Sequence, residues 1–178
     1  VNKKKNYLIC ALGILAIMTM FRSFSVGNDT TTYVSIFREI STYVNPINCM
    51  STLSTEPGYI LSNWILSRIT TEPRILLVVS GAAIYFSLGR FLYRYADAPG
   101  IFVMIYFSIF AFNDYLSGVR QALSCAILFF AIDCAIKEKH IRMLLVVLLA
   151  ASFHYSALVF LVMWLIIRMF NKNCEHKY

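Results

Sequence analysis

Long apolar runs, each closed by a short polar or basic patch, divide this chain into helices. The first run covers residues 7–21, behind the leader VNKKKN. Further runs follow at 74–92, 101–112, 118–136 and 143–169. A helix needs about 20 apolar residues to cross a bilayer core, so these runs predict membrane helices. The long polar stretch 23–73 has a different rhythm. Tyr33, Ile36, Phe37 and Ile40 recur at helical spacing and predict an amphipathic helix over 31–40. Gly27-Asn28 supplies turn chemistry before it, and Asp29 or Thr30 can cap it. Ile60, Leu61, Trp64, Ile65 and Ile69 predict a second such helix over 59–69. Residues 43–55, with Asn45-Pro46 and scattered Ser and Thr, read as an irregular loop, and Glu56-Pro57-Gly58 as a turn. Pro73 suits the first turn of the helix 74–92, whereas Pro99-Gly100 breaks the chain before the short, aromatic-rich run 101–112.

The last run is the ambiguous one. As a single helix, residues 143–169 would extend about 40 Å. They are interrupted by Ser152-Phe153-His154-Tyr155-Ser156 and end in Arg168, with Lys172 and Lys177 just beyond. Two short helices meeting near His154, a broken or re-entrant pair, fit both features better. The expected class is therefore an all-α polytopic membrane protein with five to six transmembrane or re-entrant helices. Residues 1–178 form a single membrane domain, with an extracytoplasmic loop at 23–73 that carries short amphipathic helices.

Composition agrees: 59% of the residues are hydrophobic and only 14% charged, a balance foreign to a soluble domain of this size. The net charge of +7 does not imply nucleic acid, because the cations cluster at the ends of apolar runs. Lys3–Lys5, Arg90 with Arg94, and KEKHIR (137–142) alternate along the runs, which by the positive-inside rule places the N-terminus in the cytoplasm. The first run lacks a small-residue cleavage site and reads as a retained helix. Five cysteines show neither a CxxC pair nor metal-ligand spacing, so no disulfide framework, zinc site or other metal is expected. Paired metal-binding carboxylates of the DxD type and Gly-rich phosphate loops are absent from the sequence, which argues against a nucleotide-dependent cytoplasmic enzyme; no cofactor is expected. Asp133, with Lys137 four residues on, reads as a helix ion pair.

The candidate chemistry lies at the other ends of the runs. Arg22, Asp29, Glu56, Arg120, Gln121 and His154 all fall on the extracytoplasmic side of this topology. An arginine at the bilayer centre costs about 2.5–3.5 kcal/mol, but at a helix mouth it can offer a planar fork to a phosphate. Two arginines, two carboxylates, a glutamine and a histidine suit a polyanionic, hydroxyl-rich substrate. Arginines hold a diphosphate and stabilise its departure, while a carboxylate or imidazole takes a proton from an attacking hydroxyl. Asp29 and His154 are the catalytic candidates. Arg120, Gln121, Arg22, Glu56 and Tyr33 are the substrate-binding ones, with Arg120 placed on the diphosphate.

FRSFSVGNDTTTY, EPGYILSNWIL, SGVRQALSCAILFFAI and SFHYSALVFL, in this order and spacing, make the chain similar to the EpsG family of bacterial polysaccharide polymerases, relatives of Wzy. The combination of G-x-D-T-x-x-Y, G-x-R-Q-A and F-H-x-S-A carries the resemblance. It implies polymerisation of polyprenyl-diphosphate-linked oligosaccharide units into O-antigen, capsule or exopolysaccharide, at the outer face of the bacterial inner membrane. The implied partners are the lipid-linked glycan and the bilayer, with a flippase and a chain-length regulator as further candidates. Family members run longer, so the chain resembles an N-terminal half. Two other classes use similar polar groups: a non-enzymatic transport or assembly subunit, and a membrane acyltransferase. An internal repeat, the mark of many transporters, is not visible in the sequence.

Overall fold

The computed structural model describes residues 2–108 and 111–175. Among them every regular element is helical. Helix α1 (Lys3–Met20) starts at Asn2, whose side-chain oxygen accepts the Lys5 N–H at 3.2 Å. It lies along α5 (Arg74–Tyr95), and Leu8, Leu12 and Leu15 meet Ile84, Tyr85, Leu88 and Leu92 in the main core. Between them come α2 (Thr30–Thr42), α3 (Pro46–Thr52) and α4 (Pro57–Ile69). Helices α6 (Pro99–Ser108) and α7 (Ala111–Ser117) lead into α8 (Val119–Ile136). Next, α9 (His140–Ala151) packs along α8; a short 3-10 turn (Tyr155–Leu158) joins it to α10 (Val159–Glu175).

Two of these helices, α5 and α8, are long and apolar enough to cross a bilayer. Of the five to six membrane helices expected, these two meet that test. Helix α1 has the length but carries Lys3–Lys5 in its first turn, and α9 is a short apolar helix. The surface supplies an independent argument for lipid. Phe86, Leu145, Ile9 and Ile17 are each at least 60% exposed, and such residues recur along α1, α9 and α10. In water so much apolar surface would drive aggregation; against acyl chains it is the expected face.

The run 143–169 is broken where the sequence places the break. Helix α9 ends at Ala151, His154 is extended (φ −161°, ψ 123°), and α10 turns back. An Arg168 nitrogen reaches His140 Nε2 at 2.9 Å and Trp164 packs on the His140 ring, so the far end of α10 returns to the start of α9. Lys177, assigned to the same end, lies outside the described residues, as do residues 109 and 110 of the run 101–112.

Three readings need correction, the first being that Pro57-Gly58, expected in a turn, opens α4. Residues 46–52 are helical where a loop is expected. Asn45 caps α3 by accepting the Ile47 N–H at 2.9 Å, Pro46 occupies its first turn, and Cys49 is fully buried between Ile40 and Ile60. Likewise Pro99-Gly100 opens α6, since a proline in the first turn forfeits no helical bond, and the expected break falls just before it, at residues 96–98. Among the described cysteines, Cys10, Cys49, Cys125 and Cys134 are free thiols.

A buried carboxylate joins Arg120 and His154

The candidate site forms where three distant segments meet. Val119 is fully buried among Tyr33, Phe37, Tyr59 and Leu76, which pins the first turn of α8 against α2, α4 and α5. The next residue, Arg120, is thereby directed at the N-terminus of α4. Its Nη1 donates to Glu56 Oε2, and its guanidinium lies 5.8 Å from the Tyr33 ring centre and 6.0 Å from that of Tyr59. These two rings meet edge to face at 5.9 Å. The other Glu56 oxygen, Oε1, lies 2.9 Å from His154 Nδ1.

His154 is held by the break itself. The Ser124 hydroxyl of α8 donates to Ala150 O at 3.0 Å and approaches His154 O at 3.4 Å, tying the irregular backbone to a neighbouring helix. Irregular backbone at membrane depth is tolerated where protein groups satisfy it in this way. Helix α4 docks on the same break, with Gly58 N–H donating to Ser152 O at 2.8 Å. A Cβ at Gly58 would lie 2.8 Å from that carbonyl oxygen and 2.2 Å from Ser152 Oγ, so only glycine permits the approach.

Glu56 is the enclosed member: its side chain is 6% exposed, against 28% for Arg120 and 32% for His154. Burial pushes the Glu56 carboxyl up. Hydrogen bonds from its own backbone amide and from His154, with the charge of Arg120, more than offset that and hold it below the usual carboxylate range. It is thus a carboxylate at neutral pH. Bonded to Nδ1, it favours the tautomer with the proton there and leaves Nε2 as the free basic nitrogen. Burial raises the Tyr59 phenol, which stays protonated.

The structure therefore brings Tyr33, Glu56, Arg120 and His154 together. Asp29 and Gln121 stand apart from this cluster. Both line a cavity of about 510 Å³, with Ser117 and Gly118 at hand and the rings of Phe102, Tyr115 and Phe129 in its wall. Asp29 occupies the N-cap position of α2 yet makes no capping bond through its side chain. Arg22 points inward: it is 7% exposed, and its Nη2 donates to Leu116 O at 2.9 Å and to Thr30 Oγ1 at 3.1 Å. It pins the start of α2 to α7 beside Gly27, whose φ of +90° and close approach to Leu116 O exclude a side chain. Half of the Gly27–Tyr33 motif thus serves a joint.

Sequence reasoning missed Tyr59, Ser124 and Gly58 with Ser152; the only signal was Pro57-Gly58, which forms the first turn of α4. It also saw only one partner of Asp133. Lys137 pairs with it at 3.1 Å as expected, but so do Arg90 at 3.1 Å and Arg94 at 2.7 Å, and the Tyr95 hydroxyl donates to it as well.

An all-helical membrane protein with a carboxylate–guanidinium–imidazole cluster at the end opposite its basic patch is the class these features define. The family model of the EpsG family matches residues 5–177, and the chain belongs to that family. EpsG is a Wzy-like polymerase family, which links the protein to polysaccharide biosynthesis. No curated protein and no solved structure matches the chain.

Proposed function

We propose that this protein takes part in polymerising polyprenyl-diphosphate-linked oligosaccharide units at the outer face of the cytoplasmic membrane. The product would be an O-antigen, capsule or exopolysaccharide. The observation that supports this most is the bridging of Arg120 and His154 by the buried Glu56. An acceptor sugar hydroxyl attacks the anomeric carbon of the growing chain. A new C–O bond forms while the bond to the diphosphate breaks, and its electron pair leaves with the polyprenyl diphosphate. His154 Nε2, oriented from behind by Glu56, takes the hydroxyl proton; a positioned base of this kind contributes about 10²–10⁴ in rate. Arg120, steadied by Glu56 and the two tyrosine rings, turns its open edge to the departing diphosphate. Asp29 and Gln121 hold sugar hydroxyls from the adjoining cavity. Arg22 acts as a joint and makes no substrate contact.

The test is glycan laddering in cells that carry variants, with membrane abundance measured by blot. His154→Ala and Arg120→Lys should abolish long ladders at normal abundance, and Asp29→Asn should shorten them. Lysine keeps the charge but loses the planar fork that a phosphate clamp requires. Wild-type ladders from Arg120→Lys would refute the clamp, and wild-type ladders from His154→Ala would refute the base.

A further inference from the structure

We propose that the groove between α1 and α5 binds a single anionic phospholipid of the leaflet facing the basic end, with its phosphate at Lys5 and Arg90. The groove encloses about 550 Å³ and runs from Lys5, Arg90 and Tyr93 at one end to Ala16 and Ala82 at the other. It exists because α1 presents Gly13 and Ala16 where larger residues would close the seam; a Cβ at Gly13 would meet nothing within 4 Å. From Lys5 to Ala16 the helix rises about 16 Å, which is the depth of one leaflet of a ~30 Å hydrocarbon core. Its wall beyond the mouth is apolar, from Leu8 and Leu12 to Phe86. One acyl chain fits this length and chemistry.

The charge at the mouth selects the headgroup. Asp133 is shared by Arg90, Arg94 and Lys137, so three cations meet one carboxylate and the cluster keeps a positive excess. Lys5 is exposed and has no ion pair among the described residues. Tyr93 is fixed beside it, its hydroxyl accepting from Asn2 Nδ2 at 2.8 Å and its ring 5.7 Å from the Lys4 ammonium. Two further acids of this end, Asp97 and Glu138, are exposed and stand outside the groove lining. A phosphodiester between Lys5 and Arg90 offsets part of this positive excess; a zwitterionic headgroup would bring a cation into the same place.

This site is independent of the reaction proposed above, and its test does not read polymer. The protein is reconstituted with equal phosphatidylglycerol and phosphatidylcholine, extracted in mild detergent, and its retained lipid identified by native mass spectrometry. Phosphatidylglycerol should be held preferentially. Lys5→Gln should weaken that retention about fivefold, the effect of one basic residue near an anionic surface. Gly13→Leu should abolish it for both lipids with the melting temperature unchanged. Should Gly13→Leu fail to fold, photoreactive phosphatidylglycerol on the wild type decides: crosslinks confined to residues 5–16 and 82–93 support the site. Equal retention of both lipids, crosslinks spread over the apolar surface, or wild-type retention by a folded Gly13→Leu would overturn it.

Discussion

Glu56 shows how one side chain ties stability to chemistry. Its carboxyl is held below the ordinary value of 4.5 in the folded protein. A depressed carboxyl contributes stability that is fully present above the unfolded value and is lost as pH falls through the folded one. The folded protein should therefore lose this contribution only on the acid side, below about pH 4.5. Glu56→Gln should cost about 1–3 kcal/mol at pH 7, because it leaves the Arg120 guanidinium without its counter-charge. The same variant should lose less stability than the wild type on acidification. Melting temperatures in detergent micelles from pH 7 to pH 3.5 check both parts. Parallel curves for the two proteins would mean that Glu56 does not couple to folding.

At the scale of elements, the joint between α4 and the break at residues 152–154 decides whether Glu56 reaches His154. Gly58→Ala drives a methyl group into the Ser152 carbonyl oxygen, which is backbone and cannot rotate away. The variant should be destabilised by about 1–3 kcal/mol, the usual cost of overpacking, and should lose its long glycan ladders. Gly13→Ala, in open space on α1, is the matched control and should be neutral or better. Equal melting temperatures for Gly58→Ala and the wild type would show that the joint yields freely. Helices α2, α4, α5 and α8 were legible in the sequence because each carries a long apolar period or a clear basic end. The break at His154 was legible for the same reason, as a polar interruption of an apolar run. Helix α3 was not, although Asn45-Pro46 is a capping signal, because seven residues with one buried side chain leave no period to read. Of the site, the residue types and their common side could be inferred from topology. Which of them touch could not: Glu56, Arg120 and His154 lie far apart in the chain, and only packing decides that Arg120 turns to Glu56 while its neighbour Gln121 lines a separate cavity.

At the scale of the whole molecule, the contacts sort the charged groups onto two ends. Asn2 and Lys4 meet Tyr93, Arg90 and Arg94 meet Asp133 with Lys137, and His140 meets Arg168. These contacts gather the starts of α1 and α9, the ends of α5 and α8, and the late turns of α10 on one side. Glu56, Arg120 and His154 are joined to each other at the opposite ends of α8 and α9, where Glu56 ties the helix-bearing loop 23–73 to them. The cation-rich side should face the cytoplasm, because basic residues resist translocation. Two measurements follow from this arrangement. A single cysteine at Thr52, on a background with the native cysteines replaced, should react with a membrane-impermeant reagent added from outside intact cells. A reporter fused after Tyr178 should be active in the cytoplasm, because the return of Arg168 to His140 carries α10 back to the side from which α9 departs. Labelling of Thr52 only after the membrane is opened would invert the orientation and remove the site from the outer face. Extracytoplasmic activity of the reporter would instead make residues 143–169 a single crossing, and the contact between Arg168 and His140 could not then exist in the bilayer.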